Sequence, residues 1–249
     1  QRMSDRLIEI ADIKPGQHVL CLASGTGLDA GKAAKITPNV FLTDLALPML
    51  KAAKKNNFNK LTESDAAVIP FKEESFDKII INAGGEYILA NLHQVFQEAY
   101  RVLKPGGNIT FNCQTDELGV SYSEDPQRML RKEVEKFAFY RFGIDISPST
   151  PKNKYQIEEI KNKAQNLDDN GGRLECVLSS DEALPATIRD SKKQLSLEIF
   201  NSKWLAKIPK NKRAGLIATA TKNLENQIAK GLVTVDNVRH WHYFKFVKN

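Results

Sequence analysis

The 249 residues carry 36 Lys and Arg against 30 Asp and Glu, a formal charge of +6, with 41% hydrophobic and 8% aromatic residues. That is enough chain for one core with insertions. No apolar stretch reaches the ~20 residues of a membrane-spanning helix, and no basic run is dense enough for a polybasic arm. Cys21, Cys113 and Cys176 are odd in number and widely spaced, which argues against a disulfide framework or a zinc site and fits a reducing cytoplasm.

In chain order, "QRMSDRLIEIADI" is polar and then amphipathic, without a cleavable-signal pattern, and the native start is expected to lie upstream of Gln1. "HVLCLA", from His18, is a continuous apolar run, as in a strand buried on both faces. A glycine turn follows, then a helix from about Leu28 to Ile36. "NVFLTD" gives a second strand, and Pro48 opens a helix to Asn56, as a first-turn proline does. "SDAAVIPF" follows a short third strand. "FDKIIIN", Phe76 to Asn82, is the fourth. The helix through "LHQVFQEAYRVL" sets Leu92, Val95, Phe96, Ala99, Val102 and Leu103 on one side until "KPGG" stops it, and "NITFNC" is the next strand. Such alternation predicts parallel strands joined by right-handed crossovers with helices on both faces, a doubly wound α/β sheet.

The second half is less regular. A basic helix, Pro126 to Phe142, places Leu130, Val134, Phe137 and Ala138 at helical spacing, with Phe139, Tyr140 and Phe142 crowding its end. "YQIEEIKNKAQNL" reads as a helix, and "RLECVLSS" and "HWHYFKFV" read as strands. Between these strands lie "LSLEIF", of strand character, and a helix near Asn211 to Lys230 capped by Gly231. The expected division is an α/β core at 1–115, a helical lid insertion at 116–153, and the rest of the sheet at 154–249 with a helical insertion at about 180–236. Charge is +1 over residues 1–115 and +5 beyond. A basic half can attract an anionic partner, but a lysine-rich solvated surface is the plainer reading. The aromatic residues are not interleaved with basic ones as a base-stacking platform needs, so nucleic acid is not the expected partner.

A glycine turn leading into a helix offers free backbone N–H groups to an anionic or polar ligand beyond the carboxyl ends of the strands. The dinucleotide spacing G-x-G-x-x-G is not met, since Ala23, Gly25 and Gly27 are followed by no glycine until Gly31. The Gly-Lys-Ser/Thr of a phosphate loop is absent. Asp44 ends the second strand, where a carboxylate can accept both hydroxyls of a ribose. Asp65 follows the third, where it can accept from an exocyclic adenine amine.

"LASGTG", "DLALPML", "DAAVIPFKEESFD" and "RVLKPGG", in this order within residues 18–107, resemble the motifs of class I S-adenosylmethionine-dependent methyltransferases. The resemblance is in particular to the branch that includes ubiquinone and menaquinone biosynthesis enzymes and many natural-product methyltransferases. The resemblance implies a seven-stranded, mostly parallel Rossmann-like sheet with lid insertions, S-adenosylmethionine as cofactor and S-adenosylhomocysteine as product. Carried over, Ala23, Ser24, Gly25 and Gly27 hold the methionine part and Asp44 binds the ribose hydroxyls. Leu45 presses on the adenine face, Asp65 and the backbone of Ala66 read the adenine edge, and Asn82 lines the methionine end. Two positions depart from the pattern. Cys21 stands where the family has a strand-end acid that helps hold the cofactor's ammonium group, and Ala23 stands for the first glycine. An unreplaced hydrogen bond to that ammonium is expected to cost about 1–3 kcal/mol.

The expected acceptor is a small molecule. Glu86 is the candidate base for an enolic or phenolic acceptor, and Tyr87 the residue that orients it. No metal is expected. The alternatives are a methyltransferase of RNA or protein working through the basic second half, and a non-catalytic binder of S-adenosylmethionine or S-adenosylhomocysteine, suggested by Cys21.

Overall fold

Val19, Leu20, Cys21 and Leu22 are all buried, and only a strand covered on both faces removes four consecutive side chains from water. This strand is β1 (Val19–Leu22) in the computed structural model of the chain. It is followed by β2 (Val40–Asp44), β3 (Leu61–Glu63), β4 (Phe76–Asn82), β5 (Leu103–Gln114), β6 (Leu174–Pro185) and β7 (Val238–Lys248). The helices are α1 (Arg2–Ala11), α2 (Leu28–Ala33), α3 (Leu47–Lys55), α4 (Leu92–Val102), α5 (Pro126–Phe142), α6 (Ile157–Gln165) and α7 (Lys210–Ala229). The structure describes residues 2–82, 88, 91–114, 126–146, 157–167, 172–185, 187–189, 191–192, 205, 207–233 and 238–249. "LSLEIF", at 195–200, lies outside them.

The strands form one seven-stranded sheet in the order β3-β2-β1-β4-β5-β7-β6. β1 pairs in parallel with β2 and β4, β2 with β3, and β4 with β5, while β7 runs antiparallel to β5. The chain winds outward from β1 in one direction to β3, then crosses back to β4, so the order reverses between β1 and β4. In an open α/β sheet that reversal opens the crevice used by ligands.

The chain divides into two compact units, Gln1–Thr115 with Asn153–Glu182 and Trp241–Asn249, and Asp116–Lys152 with Ala183–His240. In the first, Leu20, Leu22, Ile79, Ile81 and Phe111 face α4 and α6. Phe96 of α4 meets Phe111 and Phe246 edge-on, with centroids 6.2 and 5.1 Å away. Such pairs are worth roughly 0.5–1.5 kcal/mol beyond burial. On the other face Val19, Cys21, Leu42, Ile80 and Tyr243 pack with Leu7, Ile10 and Ala11 of α1 and Ala30 and Ala33 of α2. In the second unit, Leu130, Val134 and Ala138 of α5 bury against Leu216, Ile217, Ala220 and Leu224 of α7, while Phe139 and Tyr140 stand exposed.

Several boundaries differ from the sequence reading. α2 ends at Ala33 rather than Ile36, because the chain tightens there into turn bonds such as Ile36 N–H to Ala33 O. Leu103 is buried as expected but begins β5, opposite Phe76 of β4, instead of closing the helix stripe. β5 also takes in the "KPGG" segment. A Cβ at Gly107 would stand 2.8 Å from Lys104 O and 2.9 Å from Asp77 O, so that close backbone approach demands glycine. Among the described residues, no helix is long and apolar enough to cross a membrane.

Candidate functional site

The carboxyl ends of β1, β2, β3 and β4 bring the expected site residues to one edge of the sheet. After Leu22 the chain turns through left-handed backbone at Ala23 (φ 50°), Gly25 (φ 56°) and Gly27 (φ 86°). The Ser24 N–H donates to Thr43 O at 2.9 Å, extending the pairing with β2 by one residue. Gly27 is then the N-cap of α2 and accepts its first helical bond, from Gly31 N–H at 2.8 Å. A Cβ at Gly27 would lie 2.7 Å from the Phe58 ring and 3.1 Å from Leu42, whereas one at Gly25 would meet nothing within 4 Å. Gly27 is glycine for packing and φ; Gly25 leaves open space above the backbone.

Asp44 closes β2 and is tied to that turn. Its Oδ2 accepts the Gly25 N–H and its Oδ1 the Ala46 N–H, each at 2.8 Å. One backbone N–H on each oxygen fixes the carboxylate's orientation and leaves acceptor capacity on both. Leu45, next along, is 56% exposed. Asp65 lies just past β3, and its Oδ1 accepts Ala67 N–H at 2.8 Å in an Asx turn; Ala66 beside it is buried in the core. Asn82 ends β4, and its Nδ2 donates to Asp29 Oδ1 at 2.8 Å. Among the described residues, the buried Ser24 Oγ, Ser64 Oγ and Asn82 Oδ1 have no hydrogen-bond partner. Unsatisfied buried polar atoms are rare, and three at one set of strand ends need an explanation. Glu86 and Tyr87 lie outside the described residues.

Two of the quoted motifs turn out to brace the site rather than line it. Arg101, of "RVLKPGG", donates to the carbonyls of Ile69 and Phe71, both at 2.8 Å, and to Glu98. Glu98 in turn accepts the Ile69 N–H at 2.7 Å. This pair on α4 therefore clamps the backbone of "DAAVIPF", the segment that carries Asp65. Asp77, of "SFD", accepts the His18 N–H at 2.8 Å and the Lys104 ammonium at 3.0 Å. Burial alone would raise its carboxyl pKa, but the His18 N–H and Lys104 together hold it below the ordinary range.

Cys21 is buried, with its register partners Leu42 and Ile80 on either side. Burial, and then the nearby Asp29 carboxylate, push its thiol far above the ordinary range. A thiol that stays protonated is an inert small hydrophobe, not a nucleophile. The sequence reading missed Asp29, which is only 9% exposed in the first turn of α2. A first-turn acid before an alanine-rich stretch reads as ordinary helix sequence, and nothing local signals its bond to Asn82.

A family profile described as "Methyltransferase domain" matches residues 20–111, from β1 to the centre of β5. The matched segment contains all four quoted motifs, and the resemblance to the ubiquinone and menaquinone branch is borne out by curated relatives. The chain is 36% identical over 99 residues to a demethylmenaquinone methyltransferase of Streptomyces avermitilis, covering 39% of this chain and 42% of that one. It is 28% identical over 167 residues to the ubiquinone/menaquinone biosynthesis C-methyltransferase UbiE of Citrobacter koseri, covering 62% and 63%. The chain thus spans less than two thirds of either relative. The fold matches the crystal structure of YcgJ from Bacillus subtilis with a TM-score of 0.61 at 14% identity, covering 100% of this chain and 98% of that one.

Proposed function

We propose that this chain is an S-adenosylmethionine-dependent methyltransferase that passes the methyl group to a small-molecule acceptor of enolic or phenolic character. The observation that carries the reading is the joint between the turn and β2, in which the Gly25 N–H orients the Asp44 carboxylate. A nucleoside with a polar tail fits this edge: Asp44 keeps acceptor capacity for the ribose hydroxyls, and Gly25 leaves room for a close approach. The exposed Leu45 offers an apolar face to adenine, and Asp65 and Ala66 stand by for its edge. The orphaned Ser24 Oγ and Asn82 Oδ1 would gain partners on the methionine side.

When bound, S-adenosylmethionine supplies a strongly electrophilic sulfonium methyl group. The chain's work is then to hold, orient and desolvate. Asp44 and the turn fix the nucleoside, and the Arg101 clamp fixes the segment bearing Asp65, so that an acceptor meets a positioned methyl group. Glu86 as base for the acceptor's proton and Tyr87 as its orienting hydroxyl complete the proposal. They come four and five residues after the end of β4 in sequence, and relatives named for demethylmenaquinone and ubiquinone/menaquinone methylation support a small-molecule acceptor. A lid role for 116–153 also belongs to the proposal, supported by the apolar surface that Phe139 and Tyr140 leave exposed on α5. So does a reducing cytoplasm, supported by three free thiols.

Titration calorimetry with S-adenosylhomocysteine tests the core of the reading. Micromolar binding is expected, and Asp44→Ala should weaken it about tenfold or more by removing the ribose acceptor. Unchanged affinity in that variant would remove the ribose assignment.

A further inference from the structure

The departure at Cys21 raises the question of what meets the positively charged end of the cofactor. Asp29 answers from the neighbouring helix. Its carboxylate is buried, and a buried carboxylate is normally paired with a cation or saturated with donors. Among the described residues, the Asn82 amide donates to it, and it forms no ion pair with a Lys, Arg or His. The other end of that same amide, Asn82 Oδ1, is a buried acceptor without a donor. An acceptor without a donor, at the end of β4, and a carboxylate that has one amide donor and no cation, in the first turn of α2, are therefore held together. A primary ammonium group supplies a donor for the first and a positive charge for the second, with three N–H groups on one cation. The site is at the correct end of the sheet, since Asn82 is the last residue of β4 and Leu22 of β1 pairs with its neighbour Ile81.

We propose that Asp29 takes over the task of the missing strand-end acid and holds the ammonium group of the cofactor's methionine tail, with Asn82 both orienting Asp29 and accepting from the same ammonium. The inference rests on the proposed cofactor. It shifts the carboxylate from the strand to the first turn of α2. It also accounts for a buried thiol at position 21. Two carboxylates side by side would repel, so once Asp29 serves, the strand position is free to become a small hydrophobe.

The test compares two ligands that differ only in the tail: S-adenosylhomocysteine, and 5′-deoxy-5′-methylthioadenosine, which keeps the thioether nucleoside but lacks the amino-acid part. Calorimetry on wild type and on Asp29→Asn, with folding checked by circular dichroism, reads the outcome. Asp29→Asn keeps an oxygen for the Asn82 amide while removing the charge. It should weaken S-adenosylhomocysteine about tenfold or more and leave methylthioadenosine within about twofold. Equal losses for both ligands, or no loss for either, would overturn the assignment. Wild type that binds neither ligand would instead sink the methyltransferase reading itself. If Asp29→Asn does not fold, a crystal structure of wild type with S-adenosylhomocysteine decides. An Asp29 oxygen within about 3.2 Å of the amine supports the proposal, and one out of hydrogen-bond reach overturns it.

Discussion

Ala23 and Gly25 both take the chain through left-handed backbone, at φ 50° and 56°, but only Ala23 carries a side chain there, at a cost of about 1–2 kcal/mol. Gly25 shows why the turn keeps a glycine where the strain is the same. A Cβ on it would touch no protein atom within 4 Å, so the space it protects is not needed by the fold. Gly25→Ala should therefore lower stability in urea by only about 1 kcal/mol, from backbone strain, yet weaken S-adenosylhomocysteine more than about tenfold by filling the approach to the turn. Affinity unchanged within twofold would take the turn out of the ligand site. Asp44 was legible as a site residue because it stands in order with the glycine turn, Asp65 and "RVLKPGG"; a strand-end aspartate alone often only caps the next helix. Asp29 was not, because its role exists only through Asn82, 53 residues away in sequence.

At the scale of elements, α4 does two jobs with its two faces. Leu92, Val95, Phe96, Ala99 and Val102 enter the core, as their spacing announces, and Glu98 with Arg101 grips residues 69 and 71 from the same helix. A pair at i, i+3 reads as an ordinary surface ion pair, so the sequence held the motif but not its purpose. The Glu98 carboxyl is held below its ordinary range, first by Arg101 and, against burial, by the Ile69 N–H. A carboxyl whose folded pKa is lowered stabilises the fold fully above its unfolded value of about 4.3, and loses that contribution as pH falls through the folded value. Glu98→Gln should accordingly be less stable than wild type at pH 7 by about 1 kcal/mol, with the gap closing below about pH 4. Melting temperatures across that range measure it. A gap that stays constant down to pH 3 would mean the charge is not what holds the segment. β4 was legible because three consecutive β-branched residues, Ile79, Ile80 and Ile81, stand between polar ones. The boundary at Leu103 was not, since helix stripe and strand start both bury a leucine.

At the scale of the molecule, the second compact unit has an apolar core of its own, which among the described residues is built chiefly by α5 and α7 and includes no strand residue. The stripe of Leu130, Val134 and Ala138 was visible in the sequence at helical spacing, while its partner 86 residues on, Leu224, could not be matched to it without the fold. Leu224→Ala opens a cavity in that core and should lower its melting by about 2–4 kcal/mol. Scanning calorimetry should then show the second unit's transition moving down while S-adenosylhomocysteine affinity stays within about twofold. A single transition with affinity lost in step would tie the cofactor site to the second core. The position of β7 has one more result, which concerns the growing chain. β7 is the last strand in sequence, yet it lies between β5 and β6, both translated earlier. Domains tend to fold as they emerge from the ribosome, and the β3-β2-β1-β4-β5 half can do so. β6, however, has no neighbour in the sheet until synthesis has passed Lys248, so its edge stays open for the whole time in which residues 186–237 are made.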